Sequence, residues 1–266
     1  MKKNTLKEKM LRGECTTNGW CALGSSYAAE LLGHAGFDSV TVDMQHGMFD
    51  FSQALLMLQA LSSTPAVPIA RAPWNDTAVI MHLLDAGAYG IICPMINNRA
   101  EAERLVAACR YAPTGMRSFG PARGLLYGGA DYFDHANDEI VVLAMIETLD
   151  GIANLEEILA TPGLDGIYIG PADLALVLGA RPGTDLTDQR CIDTIAHILS
   201  RAKAHSKFAG IFCASGQVGA IRREQGFHMV TLTHEGVYLS QAAKSHIAAS
   251  YAIPASGDVA KPSTGY

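Results

Sequence analysis

Short, continuously apolar runs alternate along the chain with longer amphipathic stretches. The runs are WCALG (20–24), SVTVD (39–43), AVPIAR (66–71), YGIIC (89–93), IVVLAMIE (140–147), GIYIG (166–170), FAGIFC (208–213) and HMVTLT (228–233). Most are too continuous in apolar character for half-exposed hairpin strands and read as parallel strands buried on both faces. The stretches between them, such as SYAAELLGHAG, FSQALLMLQALS and NRAEAERLVAACRYA, carry the helical period. Several end at a helix-stopping glycine before the next run, as at Gly36, Gly87 and Gly163. Eight strands alternating with helices predict a (β/α)8 TIM barrel occupying residues 1–252 as a single domain. The rival, a doubly wound open sheet, normally has a glycine-rich nucleotide turn after an early strand, and neither GxGxxG nor GxxxxGK[ST] occurs.

Two segments stand outside this repeat. Pro94 to Glu139 is too long for one crossover, and its glycine-rich part, FGPARGLLYGGADYF (119–133), reads as an extra loop or short helix on the barrel rim. The tail 253–266 is polar, with glycine and proline, and is expected to be loosely ordered.

Composition narrows the function classes. The chain has 266 residues, 49% hydrophobic and 17% charged, which excludes a disordered chain. A net charge of −6 argues against a nucleic-acid partner. No run reaches the ~18 apolar residues of a membrane span, and the basic start MKKNTLKEKM has no signal-peptide core behind it. The six cysteines form no CxxC pair and no metal spacing, so the cytoplasm is the expected compartment.

In a barrel, chemistry belongs to the residues that end or follow each strand. Those positions hold Trp20 on the first strand, Asp43 and His46 after the second, Arg71 on the third, Glu147 after the fifth, and Gly170-Pro171-Ala172-Asp173 after the sixth. Glu147 and Asp173 lie one β/α repeat apart, and two carboxylates at neighbouring strand ends suit one hard divalent ion with room for water and substrate. The plainer alternative makes Asp173 a helix cap and Glu147 the partner of a rim arginine. His46 sits where a general base would; otherwise it is a loop histidine bonded to backbone. Asp85, just before the fourth strand, can orient the imidazole or be a solvated helix-end carboxylate. Arg71 suits a substrate carboxylate or enolate, or an inter-strand ion pair. The turn at Gly170 opens a helix whose free N–H groups can hold a small anion.

Together these suggest carbon–carbon chemistry beside a carbonyl. Lysine placement removes one version of it. After Lys9 the next lysine is Lys203, and Lys207 precedes strand seven at the wrong end, so no strand-end lysine is available for a Schiff base.

At this point WCALGSSYAAELLGHAGFDSVTVDMQHG, IARAPWND, LLDAG, RYAPTGMRSFGPARG, VVLAMIET and LDGIYIGPADLA resemble the HpcH/HpaI aldolase family, in order and from about residue 5 to 250. The resemblance implies a class II pyruvate aldolase using Mg²⁺, Mn²⁺ or Co²⁺, assembled as a hexamer (a trimer of dimers) with an exchanged C-terminal helix. It makes Glu147 and Asp173 the metal ligands, Arg71 the pyruvate-binding arginine, and His46 with Asp85 the base and its orienter. Asp43 becomes an acid supporting the histidine, and Trp20 a pocket wall beside the Gly170–Ala172–Asp173 turn. The aldehyde pocket is expected from the 119–129 loop, Phe212 and the segment near Val237, with Arg123 anchoring a distal acid. Two departures from the family pattern stand out, Gln45 in place of glutamate and Met145 in place of glutamine. They bear on substrate and efficiency more than on reaction class.

Two rivals remain. An acyl-CoA lyase of the citrate-lyase-β or malyl-CoA type would need basic residues for the CoA phosphates, for which Arg117, Arg123, Arg99 and Arg104 are the candidates. A non-catalytic oxoacid-binding protein would not require the base.

Overall fold

The computed structural model describes residues 1–184 and 187–252. Eight parallel strands close into a barrel in chain order: β1 (Thr16–Cys21), β2 (Ser39–Asp43), β3 (Val67–Arg71), β4 (Gly90–Cys93), β5 (Val141–Ile146), β6 (Gly166–Ile169), β7 (Phe208–Cys213) and β8 (Met229–Leu232). The helices before β5 are α1 (Thr5–Leu11), α2 (Ser26–His34), α3 (Phe51–Leu61), α4 (Thr77–Asp85), α5 (Arg99–Cys109), α6 (Ala122–Gly128) and α7 (Tyr132–Glu139). After β5 come α8 (Leu149–Ala153), α9 (Leu155–Leu159), α10 (Pro171–Val177), α11 (Gln189–Ala204), α12 (Gly216–Gln225) and α13 (Glu235–Tyr251). The expected (β/α)8 barrel is therefore what forms. The tail expected at 253–266 lies outside the described residues.

The local chemistry of each unit is visible at its turns. Strand ends pass into helices through side-chain caps: Ser25 on α2, Asp76 on α4 and Ser215 on α12, while Asp50 and Gln53 form a capping box on α3. Gly36 and Gly87 take φ of +99° and +107°, a conformation closed to most side chains, and so turn the chain from helix back to strand.

Two apolar layers result. One lies between sheet and helices, built from residues such as Val40, Val42, Leu58, Leu83, Ile146 and Ile211. The other fills the barrel, with Trp20, Ile69, Ile92, Leu143, Tyr168 and Met229. A polar layer crosses the barrel too: Asn18 accepts from Ser39 and Thr41 and donates to Thr231, which also shares a 2.6 Å hydrogen bond with Tyr168. This explains the one displaced strand. β1 is expected at 20–24 but runs from Thr16 to Cys21, because its first buried positions, Thr16 and Asn18, are polar and satisfied by hydrogen bonds rather than apolar.

The N-terminal ends of the strands are closed by α1, whose Leu6 and Met10 are buried in the inner core. Each such side chain contributes roughly 1.5–3 kcal/mol of burial. The clustered lysines pin this plug: Lys3 to Glu139, Lys7 to Asp165, Lys9 to Asp38. The 119–133 segment supplies all of α6 and the start of α7 and packs at this same end, where the Lys2 N–H bonds the Gly128 carbonyl and Tyr127 packs on Tyr89. It is not on the C-terminal rim. No helix among the described residues is long and apolar enough to cross a membrane.

Candidate active site

Parallel register sets the last residue of β2 beside the last residue of β3, pairing Asp43 with Arg71. The Arg71 guanidinium donates through Nε to Asp43 Oδ1 (2.8 Å) and through Nη2 to Oδ2 (2.6 Å). Trp20 Nε1 donates to Oδ2 at 3.1 Å, and the backbone N–H groups of Gln45 and His46 donate to Oδ1. Asp43 is 2% exposed, and burial works to raise its pKa; the Arg71, Trp20 and His46 contacts outweigh that and hold it below its ordinary value. One carboxylate thus fixes the arginine, the tryptophan and the turn bearing the histidine. Arg71 also lies 4.8 Å over the Trp20 ring, which stacks on Tyr168 and meets Phe212 edge-on.

These groups surround a cavity of about 190 Å³ at the C-terminal mouth, lined by Trp20, His46, Arg71, Tyr168, Asp173 and Phe212. Gly170, Pro171, Ala172, Met145 and Thr184 complete the wall. Asp173 stands in the first turn of α10, which Pro171 opens.

Glu147 lies against this wall, 2% exposed. A Cβ at Gly170 would fall 2.5 Å from Glu147 Oε2, so only glycine leaves the carboxylate its place. Oε1 accepts a 2.8 Å bond from the Met95 N–H. Burial above all, and then the charge of Asp173, push the Glu147 pKa up to about 7, against the lowering influence of Met95 and Arg71. A buried carboxylate facing a second one, with a single N–H in compensation, fits a divalent cation. No third His, Cys, Asp or Glu joins them among the described residues, which suits an ion that keeps positions for water and substrate oxygens.

The model of the HpcH/HpaI aldolase/citrate lyase family matches residues 18–242. The chain belongs to this family. It is 46% identical over 230 residues, covering 86% of this chain and 92% of its relative, to the hydroxypyruvate/pyruvate aldolase of Rhizorhabdus wittichii. It is 38% identical to the 5-keto-4-deoxy-D-glucarate aldolase of Escherichia coli O157:H7, over 78% of this chain and 81% of the relative. A solved HpcH/HpaI aldolase/citrate lyase family protein of Burkholderia cenocepacia superposes with a TM-score of 0.86 at 29% identity, covering 94% of this chain and all of the other. The expected family and fold both hold.

Within this HpcH/HpaI barrel, the expected residues Trp20, His46, Arg71, Gly170, Ala172, Asp173 and Phe212 share one cavity, with Asp43 and Glu147 directly behind it. Two others are elsewhere in the chain. Asp85 ends α4, which runs back toward the N-terminal ends of the strands, and its Oδ1 accepts a 2.7 Å bond from Arg117, not from His46. Arg123 is tied to the Ala86 carbonyl and Ser62, and lines a separate cavity with Phe51 and His82. It therefore does not anchor a distal acid at this mouth within the chain, nor does the 119–129 segment line it, nor Val237.

Besides Thr184, Tyr168 is the wall residue that sequence reading did not single out. Its place two residues before Gly170, on an apolar strand with inward parity, is the signal that could have found it.

Proposed function

We propose that the protein is a metal-dependent aldolase that reversibly cleaves a 4-hydroxy-2-oxoacid into pyruvate, or a close 2-oxoacid, and an aldehyde. The observation that carries this reading is the meeting of His46, Arg71 and Asp173 in one cavity with Glu147 at its back. The relatives named hydroxypyruvate/pyruvate aldolase and 5-keto-4-deoxy-D-glucarate aldolase support it. Glu147 and Asp173 would hold a divalent ion (Mg²⁺, Mn²⁺ or Co²⁺), whose positive charge would favour the enolate.

The chain's own groups do the rest. Asp43 occupies Nε and one Nη2 hydrogen of Arg71 and leaves the Nη1 donors for the oxoacid. The backbone N–H groups opening α10 at Gly170–Asp173 hold the substrate carboxylate. His46 takes the proton from the 4-hydroxyl; the C3–C4 bond breaks, its electron pair passes into the enolate, and the carbonyl forms on the leaving aldehyde. The proton then returns to C3 and gives pyruvate. Trp20, Tyr168 and Phe212 exclude water from the enolate.

The acyl-CoA lyase alternative loses most of its basic groove. Arg117 is bonded to Asp85, Arg123 to Ala86 and Arg99 to Glu103, and neither they nor Arg104 line the mouth. A homo-oligomer, a hexamer built as a trimer of dimers, and a cytoplasmic location belong to the same proposal. The exposure of Leu239, Ile247 and Tyr251 on α13 supports a covered helix in the assembly.

Incubating metal-stripped protein with pyruvate in D₂O tests the proposal. Loss of the methyl proton signal that depends on added Mg²⁺ or Mn²⁺ is expected. No exchange with any divalent ion overturns it in favour of a lyase acting on CoA esters or an oxoacid-binding protein.

A further inference from the structure

Four arginines are buried among the described residues: Arg71, Arg110, Arg117 and Arg222. The first three each donate to a carboxylate, those of Asp43, Asp165 and Asp85. Arg222, 8% exposed, has no carboxylate partner among the described residues; its Nη1 donates 2.9 Å to the side-chain oxygen of Gln225. Its Nε and Nη2, without a hydrogen-bond partner among the described residues, are not sealed from solvent and so remain available to an anion.

Arg222 lines a cavity of about 400 Å³ between α11 and α12, a volume in the range of small-molecule sites. Lys203 adds a second positive charge at the same end, its Nζ donating to the Gln225 carbonyl. The Gln225 amide oxygen is taken by Arg222, so its NH₂ is a further donor. The opposite wall is apolar: Ile192, Ala196 and Leu199. Among the described residues no carboxylate lines the cavity. The C-terminal turn of α12 favours cations, but exposed Arg223 already meets that preference. A guanidinium sunk beside an apolar groove calls for another reason.

We infer that this groove binds a small organic anion, a carboxylate on an apolar chain. The carboxylate sits on Arg222 and Lys203, and the chain lies against Ile192, Ala196 and Leu199. The charged end of the groove is at the C-terminal ends of α11 and α12, the opposite end of the barrel from the His46–Arg71 cavity, and its apolar wall runs back along α11 to Ile192. It is a second ligand site, independent of the aldolase reading.

Hexanoate is the probe and hexan-1-ol its uncharged control, read by NMR on the full chain with labelled isoleucine δ1 and methionine ε methyls. Ile192 reports the groove, with its signal assigned through Ile192→Val, and Met145 reports the catalytic mouth. A saturable Ile192 shift with hexanoate is expected, weakened about tenfold or more with hexanol or in Arg222→Gln. Ala196→Glu, on an exposed helix position, places a carboxylate opposite Arg222 and should remove the response; an unmoved Met145 signal shows that each variant is folded. The inference falls if Ile192 does not respond, or if both variants respond like the wild type. It falls also if only Met145 shifts, or if Ile192 shifts with protein concentration alone, which would make the groove a contact between copies.

Discussion

Asp43 and Arg71 end neighbouring strands in register and hold each other through two hydrogen bonds of 2.8 and 2.6 Å, with both side chains nearly buried. The arginine that faces the cavity is therefore preorganised before any substrate arrives, and its orientation does not depend on the ligand.

Asp43→Asn leaves that guanidinium buried without its counter-charge. Breaking a buried pair this way costs about 3–5 kcal/mol, and urea unfolding should show a loss in this range. Because the Asp43 pKa is depressed, its contribution in the wild type is present above the ordinary carboxylate pKa and is lost as pH falls through the depressed value. The acid limb of the stability curve should therefore flatten in the variant.

Glu147 has the opposite sign. In the metal-free protein its pKa of about 7 exceeds the ordinary 4.5, so the folded state holds the proton more tightly than the unfolded chain. Its contribution to stability falls as pH rises from about 4.5 and levels off above about 7. Metal competes with the same proton. Calorimetric titration of Mn²⁺ should show affinity rising up to about tenfold per pH unit toward 7 and then flattening, and Glu147→Gln should bind weakly at every pH.

Gly170→Ala adds one methyl 2.5 Å from Glu147 Oε2 at a backbone conformation that alanine tolerates. The carboxylate must shift while the fold stays intact. Metal affinity should drop about 10–100-fold, the scale seen when a ligand's support is disturbed, with thermal unfolding of the metal-free protein little changed.

His46→Ala removes an exposed ring and keeps the backbone N–H that bonds Asp43. Cleavage of a 4-hydroxy-2-oxoacid should slow by roughly 10²–10⁴, while Mn²⁺ titration stays as in the wild type. A variant with full cleavage activity would remove His46 from the role of base.

Much of the catalytic mouth was legible because strand ends are local objects. A run such as SVTVD or AVPIAR shows where a strand stops, and the barrel brings all eight stops to one face. Asp43, His46, Arg71, Glu147 and Asp173 could be named for that reason. β1 was read four residues late at its start because Asn18 and Thr16 are buried by hydrogen bonding, which hydrophobic pattern does not record.

Asp85 and Arg123 show the reverse. Both lie close in sequence to β4 or to the glycine-rich segment, yet the antiparallel return of α4 carries Asp85 to the far end of the barrel and the packing of α6 seats Arg123 there too. The sequence by itself determined the alternation of strand and helix, the barrel, and which side chains end the strands, since these follow from periodicity and turn chemistry. Only the tertiary structure decided which of those side chains touch: that Asp43 grips Arg71 and that Gly170 makes room for Glu147. Such contacts are set by register and by packing between segments far apart in the chain, and no local pattern encodes them.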